Sequence, residues 1–110
     1  MIARVWRGWA PEATAGDYER HYREDVARNL RALPGFRGAR LLRGRDGDEV
    51  AFTSITYFTD HDAVRSFAGD DPERAVVEEV ARRALSRWDD RVSHHDVVVD
   101  VCSPYSREDL

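Results

Sequence analysis

The chain reads as an α+β fold: a ferredoxin-like protomer in the order β-α-β-β-α-β, with a four-stranded antiparallel sheet and its helices on one face. Three observations in the 110-residue sequence predict it. Strand-like runs and helix-like stripes alternate in that order, an Asp46-Gly47 turn joins the two middle strands, and neither an internal repeat nor a linker divides the chain. Two right-handed crossovers then place both helices on the same side of the sheet.

Residues Ile2 to Trp9 alternate and are rich in β-formers, and Pro11 breaks the run, so they predict the first strand. From Asp17 to Leu33, the residues Tyr18, Tyr22, Val26, Leu30 and Leu33 recur at helical spacing, and Pro34-Gly35 closes that helix. Phe36 to Arg43 and Glu49 to Phe58 predict an antiparallel hairpin, because Asp46-Gly47 favours the positive φ of a tight turn. Thr59 or Asp60 caps a short helix with the apolar face Ala63, Val64, Phe67 and Ala68, ended by Gly69. Pro72 then opens a long helix striped by Val76, Val80, Ala84 and Trp88, with Glu78/Arg82 and Glu79/Arg83 as i,i+4 pairs. Val92 to Val101 predicts the last strand. The domain is therefore assigned to residues 1–101, and 102–110 to a polar tail.

The strands carry apolar residues on both parities, Ala51, Ile55 and Tyr57 against Val50, Phe52 and Phe58. A sheet with one wet face alternates more cleanly. A second copy covering the bare face resolves this, so the sequence predicts a homodimer with a cavity between the sheets.

Composition narrows the function. Hydrophobic residues make up 42% and charged residues 35%, enough apolar material for a packed core. All 17 basic residues are arginine, which reads as compositional bias, and 21 acids oppose them to leave a net charge of −4. No arginine cluster is left unopposed, which argues against nucleic acid as a partner. One cysteine, Cys102, forms no intrachain disulfide, no leader-like segment precedes the first strand, and no apolar run approaches a membrane span. A cytoplasmic location without membrane association is the expectation.

Met1 to Trp6, the Leu33-Pro34-Gly35-Phe36-Arg37-Gly38 turn, Phe67-Ala68-Gly69-Asp70-Asp71 with Glu73 to Val76, and Ser86-Arg87-Trp88-Asp89 leading to His94 together resemble the antibiotic biosynthesis monooxygenase family of dimeric α+β barrels. The likeness runs in consistent order over residues 1–101. It implies two ferredoxin-like protomers closing a barrel whose lumen takes a small, flat, apolar or aromatic molecule. The family's cofactor-free members add dioxygen to aromatic polyketides, whereas a heme-degrading branch uses an asparagine on the first strand, a tryptophan on the second helix and a histidine ligand some ten residues later. Here those positions fall near Trp6, Phe67 and Val77, so the resemblance argues against heme.

Cofactor-free oxygenation needs an enol or phenol to be deprotonated, with a base, a charge stabiliser and a dry pocket supplied by the protein. His94, two residues from Asp96 on one strand face, is the candidate base, and it matches a histidine recurrent in small family members. Arg4 is the candidate oxyanion stabiliser and shares its strand face with Trp6, whose indole suits a flat ring. Tyr57 and Phe67 are expected as further walls, and Tyr22 and Asn29 on the first helix complete the substrate-binding set; His21 lies on nearly the same side as Asn29. His94 and His95 point to opposite faces and no His-x-x-x-His spacing occurs, so no metal is expected.

The leading expectation is thus a cofactor-independent monooxygenase-like enzyme of secondary metabolism, using molecular oxygen on an aromatic polyketide-type molecule. A cyclase or isomerase using the same pocket, and a non-enzymatic binding or stress-response barrel, are the alternatives. A cavity on the order of 300 Å³ with convergent polar groups favours an enzyme, and a lumen filled by its own side chains favours the last.

Overall fold

In the computed structural model, which describes residues 1–102, strand β1 (Ile2–Pro11) runs through the middle of the sheet. The helix Glu12–His21 (α1) follows at once, continues through a π-helical turn at Tyr22–Val26, and ends as Ala27–Arg31 (α2). It starts five residues before Asp17, because Pro11, which donates no backbone hydrogen bond, sits at the N-cap and releases the chain from β1. The π turn has a reason in the sequence. Apolar residues four apart drift roughly 40° per step around an α-helix, and one widened turn takes up that drift along Tyr18, Tyr22, Val26 and Leu30.

Strands β2 (Phe36–Asp46) and β3 (Glu49–Phe58) form the expected hairpin, with Gly47 at φ +62 in the turn and a bulge between Phe36 and Gly38. β3 pairs antiparallel with β1 from Ile2 opposite Phe58 to Pro11 opposite Glu49. Asp60 caps helix α3 (His61–Ala68) by accepting from the Ala63 backbone N–H at 2.9 Å, and Gly69 ends it with φ +81.

The second half departs from expectation. The long helix from Pro72 to Trp88 is only α4 (Glu79–Ala84), and Trp88 lies in a strand. Tertiary partners take the backbone groups of the preceding segment: Ala75 N–H donates to Asp90 O, Glu73 O accepts from Val92 N–H, and Arg4 donates to Pro72 O and Arg74 O. A helix there would forfeit them, and the predicted stripe instead leaves Val76 and Val80 exposed.

The last strand is broken into β4 (Arg87–Trp88) and β5 (Ser93–Asp96), both paired with the free edge of β1. Gly8 faces Trp88 while Arg4 faces His94, so Asp89 to Val92 bulge away from the sheet and bridge to Arg74. The strand expected to reach Val101 ends at Asp96, and Val98, Val99 and Val101 are exposed. All but Cys102 of the predicted polar tail lies outside the described residues. Order β2-β3-β1-β4, with all helices on one face, is the predicted ferredoxin-like arrangement.

Two apolar clusters hold the helices to the sheet. One joins Ala10, Ala15, Tyr18, Val50, Phe52, Ala81, Ala84 and Leu85, and the other joins Ile2, Leu30, Phe58, Ala63 and Val64. No helix among the described residues is long and apolar enough to cross a membrane.

Candidate functional site

A cavity of about 60 Å³ opens between the helix-facing side of the sheet and the helices, with Arg4, Trp6, Tyr22, Ser54, Thr56 and Phe67 in its lining. Its position inside one protomer differs from the predicted cavity between two sheets. Alternation along β1 and β3 explains the floor, since Arg4, Trp6, Ser54 and Thr56 all point toward the helices. Among the described residues four polar side chains are buried, Arg4, His21, Ser54 and Thr56, and every one of them lines this cavity. Buried polar groups cost free energy unless they find partners, so their convergence on one apolar pocket marks it as a site.

Arg4 is 4% exposed, yet no carboxylate lies within ion-pair distance of it among the described residues. Its guanidinium donates to Pro72 O, to Arg74 O at 2.8 Å and to His94 Nε2 at 3.0 Å, and its Cζ stands 5.4 Å from the Phe67 ring centroid. Burial pushes its pKa down to about 10, so it stays charged at neutral pH. A cation at the wall of an apolar pocket, held by carbonyls and a ring instead of an acid, has charge left for an anionic ligand.

His94 shares the helix-facing side with Arg4 but does not line the cavity. Because its Nε2 accepts from Arg4, that lone pair is occupied, and His94 supports the guanidinium instead of reaching a ligand. Desolvation, then the positive charge of Arg4, lowers its pKa and keeps the ring neutral.

Of the other predicted residues, Trp6, Phe67 and Tyr22 line the cavity. The Trp6 indole donates through Nε1 to Asp89 O at 2.8 Å, which ties it to the bulge of the last strand, and Tyr22 Oη lies 3.3 Å from Ser54 Oγ. Tyr57 is not part of this site: it pairs with Ala3 on the opposite face, because strand parity separates it from Thr56 and Phe58. Asn29 is also excluded, being exposed on α2 beside the buried Leu30. His21 is the residue to which sequence reasoning gave no role. Its i,i+4 relation to Asp25 and its place within the aromatic stripe were the available signals.

Among the described residues no cluster of three or more His, Cys, Asp or Glu is arranged to hold a metal ion. No family model and no curated protein matches the sequence. Solved structures do. A mutant of MhuD, crystallised with two manganese protoporphyrin IX molecules per active site, superposes with TM-score 0.67 at 21% identity, covering 94% of this chain and 100% of that one. MhuD is described as a heme-degrader from Mycobacterium tuberculosis. SnoaB, a cofactor-independent oxygenase from Streptomyces nogalater, gives TM-score 0.60 at 21% identity, covering 94% and 97%. A protein from Bacillus cereus described as an antibiotic biosynthesis monooxygenase gives 0.66 at 11% identity, covering 96% and 98%. At these identities the likeness establishes a shared fold. The resemblance read from the sequence therefore holds at the level of architecture, which does not fix the reaction.

Proposed function

We propose that this chain is a cofactor-independent monooxygenase-like enzyme that takes a flat, enolisable aromatic molecule of the polyketide type and works as a homodimer. The observation that carries the reading is that the four polar residues buried among the described residues converge on one cavity, one of them an arginine with no carboxylate of those residues within ion-pair distance. Trp6 and Phe67 offer faces for the aromatic rings, and Arg4 offers positive charge to the oxygen of an enolate.

In this reaction the substrate is the reductant. Loss of a proton from an acidic CH₂ leaves an enolate, which passes one electron to dioxygen. The two radicals then combine to a carbon-bound peroxide. Loss of water from the protonated peroxide leaves a carbonyl, so one dioxygen converts CH₂ to C=O plus one water. The protein supplies deprotonation, charge stabilisation and exclusion of bulk water.

Heme has no part in the reading. The resemblance puts the histidine ligand near Val77, where no histidine occurs, and a cavity of about 60 Å³ is far smaller than a porphyrin. A three-ring aromatic also needs more room. The wall formed by Val76, Val77 and Glu78 belongs to a segment without regular secondary structure, and this reading requires that wall to yield to the substrate. The small volume also favours a second reading, a dimeric barrel that binds a small metabolite without turning it over.

Oxygen consumption by the purified apoprotein with 1,8-dihydroxyanthrone, in chelator and without flavin, tests the choice. One dioxygen per quinone formed is expected. Binding without uptake above the uncatalysed rate would leave the non-enzymatic reading standing and remove the oxygenase.

A further inference from the structure

We infer that His21, held by Asp25, is the base that takes the substrate's C–H proton; the inference rests on the oxygenase reading above. His21 is 4% exposed and lines the cavity. Its Nδ1 lies 2.9 Å from Asp25 Oδ2, across the turn where the helix widens. Asp25 in turn accepts from Arg28 at 3.2 Å, which fixes the carboxylate.

A carboxylate on Nδ1 selects the tautomer with the proton on Nδ1 and leaves the lone pair on Nε2. Among the described residues Nε2 makes no hydrogen bond, and it is not sealed from solvent-sized space. The other titratable groups of the lining are Arg4, Tyr18, Tyr22 and Glu78. Arg4 is a cation, burial pushes the Tyr18 phenol up, and the Tyr22 hydroxyl lies against Ser54 Oγ at 3.3 Å. Glu78 is exposed at the outer wall. His94 has its Nε2 engaged by Arg4. His21 is thus the buried group of the lining that joins a free lone pair to a carboxylate able to offset an imidazolium.

In the step assigned to it, a C–H bond of the acidic CH₂ breaks and its proton forms an N–H bond at Nε2. The electron pair stays on the substrate as an enolate, whose oxygen Arg4 stabilises. No oxidant takes part, so the step is observable without oxygen.

The experiment mixes protein and 1,8-dihydroxyanthrone anaerobically and follows enolate absorbance by stopped flow. The wild type should form enolate well above the buffer rate. H21A should slow this on the order of 100-fold, with unchanged affinity for the corresponding quinone and recovery on adding imidazole. D25N should lie between the two. H21Q, with folding checked by circular dichroism, replaces H21A if the latter does not fold. Enolate formation at the wild-type rate in a folded His21 variant, or a defect that imidazole leaves untouched, would overturn the assignment while the oxygenase reading stands. A wild type that neither forms enolate nor consumes oxygen overturns both.

Discussion

The guanidinium of Arg4 donates to Nε2 of His94 at 3.0 Å, joining the centre of the sheet to its edge strand. Protonation of His94 would turn that acceptor into a donor and place two cations in contact. Its pKa is accordingly lowered below the ordinary 6.5, by desolvation first, then by Arg4 and His61, with Glu73 opposing and His95 adding the least. The unfolded chain therefore binds the proton more readily than the folded one. The His94 contribution to stability is complete above about pH 6.5 and is lost as pH falls through the lower folded value. Thermal melts between pH 8 and 5 should show Tm falling on the acid side, with a smaller acid-side fall in H94N. Identical profiles for the two proteins would refute the link.

Arg4→Met keeps the unbranched apolar stem of the side chain and removes the guanidinium with its donors. Pro72 O and Arg74 O lose their side-chain partner. The expected cost is about 1–3 kcal/mol in urea unfolding. A binding assay with an aromatic enolate analogue should show a larger loss for the anion than for its neutral ether. Equal losses for both would mean that Arg4 shapes the pocket without serving as its charge.

A Cβ on Gly8 would stand 2.7 Å from Cη2 of Trp6, so the indole lies flat only because residue 8 has no side chain. Gly8→Ala should displace the ring, break its bond to Asp89 O and cost roughly 1–3 kcal/mol. The change should be visible as altered tryptophan emission together with weakened ligand binding. Unchanged binding would separate Trp6 from the site.

On the bare side of the sheet, Val5, Ile55 and Leu42 present apolar surface, and Val98, Val99 and Val101 continue the exposure beyond β5. Sedimentation velocity at micromolar concentration should show a dimer, and Ile55→Arg should shift it to monomer. A wild-type monomer at that concentration would remove the second copy.

Local pattern carried much of the architecture. The strand runs of β1, β2 and β3, the Asp46-Gly47 turn and the Asp60 cap all act over a few residues and are found as the sequence places them, except that β1 runs on through Pro11 and β2 through Asp46. Pro72 to Trp88 misled because helical spacing was read without its tertiary competitors. Arg4, nearly 70 residues away, and the bulged last strand both claim that backbone, as in the Arg4 to Pro72 contact and the Ala75 to Asp90 bond. In the site, Arg4, Trp6 and Phe67 were legible from strand parity and family likeness. Tyr57 failed on the same parity, because both faces of β3 carry β-formers and nothing local says which is inward. Asn29 failed because the widened turn changes the phase of the helix beyond it. His21 needed its neighbour in space to stand out from an ordinary core histidine.

Between Trp88 and His94 the last strand runs six residues against four of β1, and the excess sits beside the cavity, where Val92 forms part of the wall. Extra length is thus stored at a point where neither flanking pair depends on it. The same residues also anchor what surrounds them: Asp89 O accepts from the Trp6 indole, and Asp90 and Val92 bond the Glu73–Ala75 backbone that holds Arg4. The length of this bulge therefore sets the cavity wall, the tilt of the indole and the seat of the buried charge together.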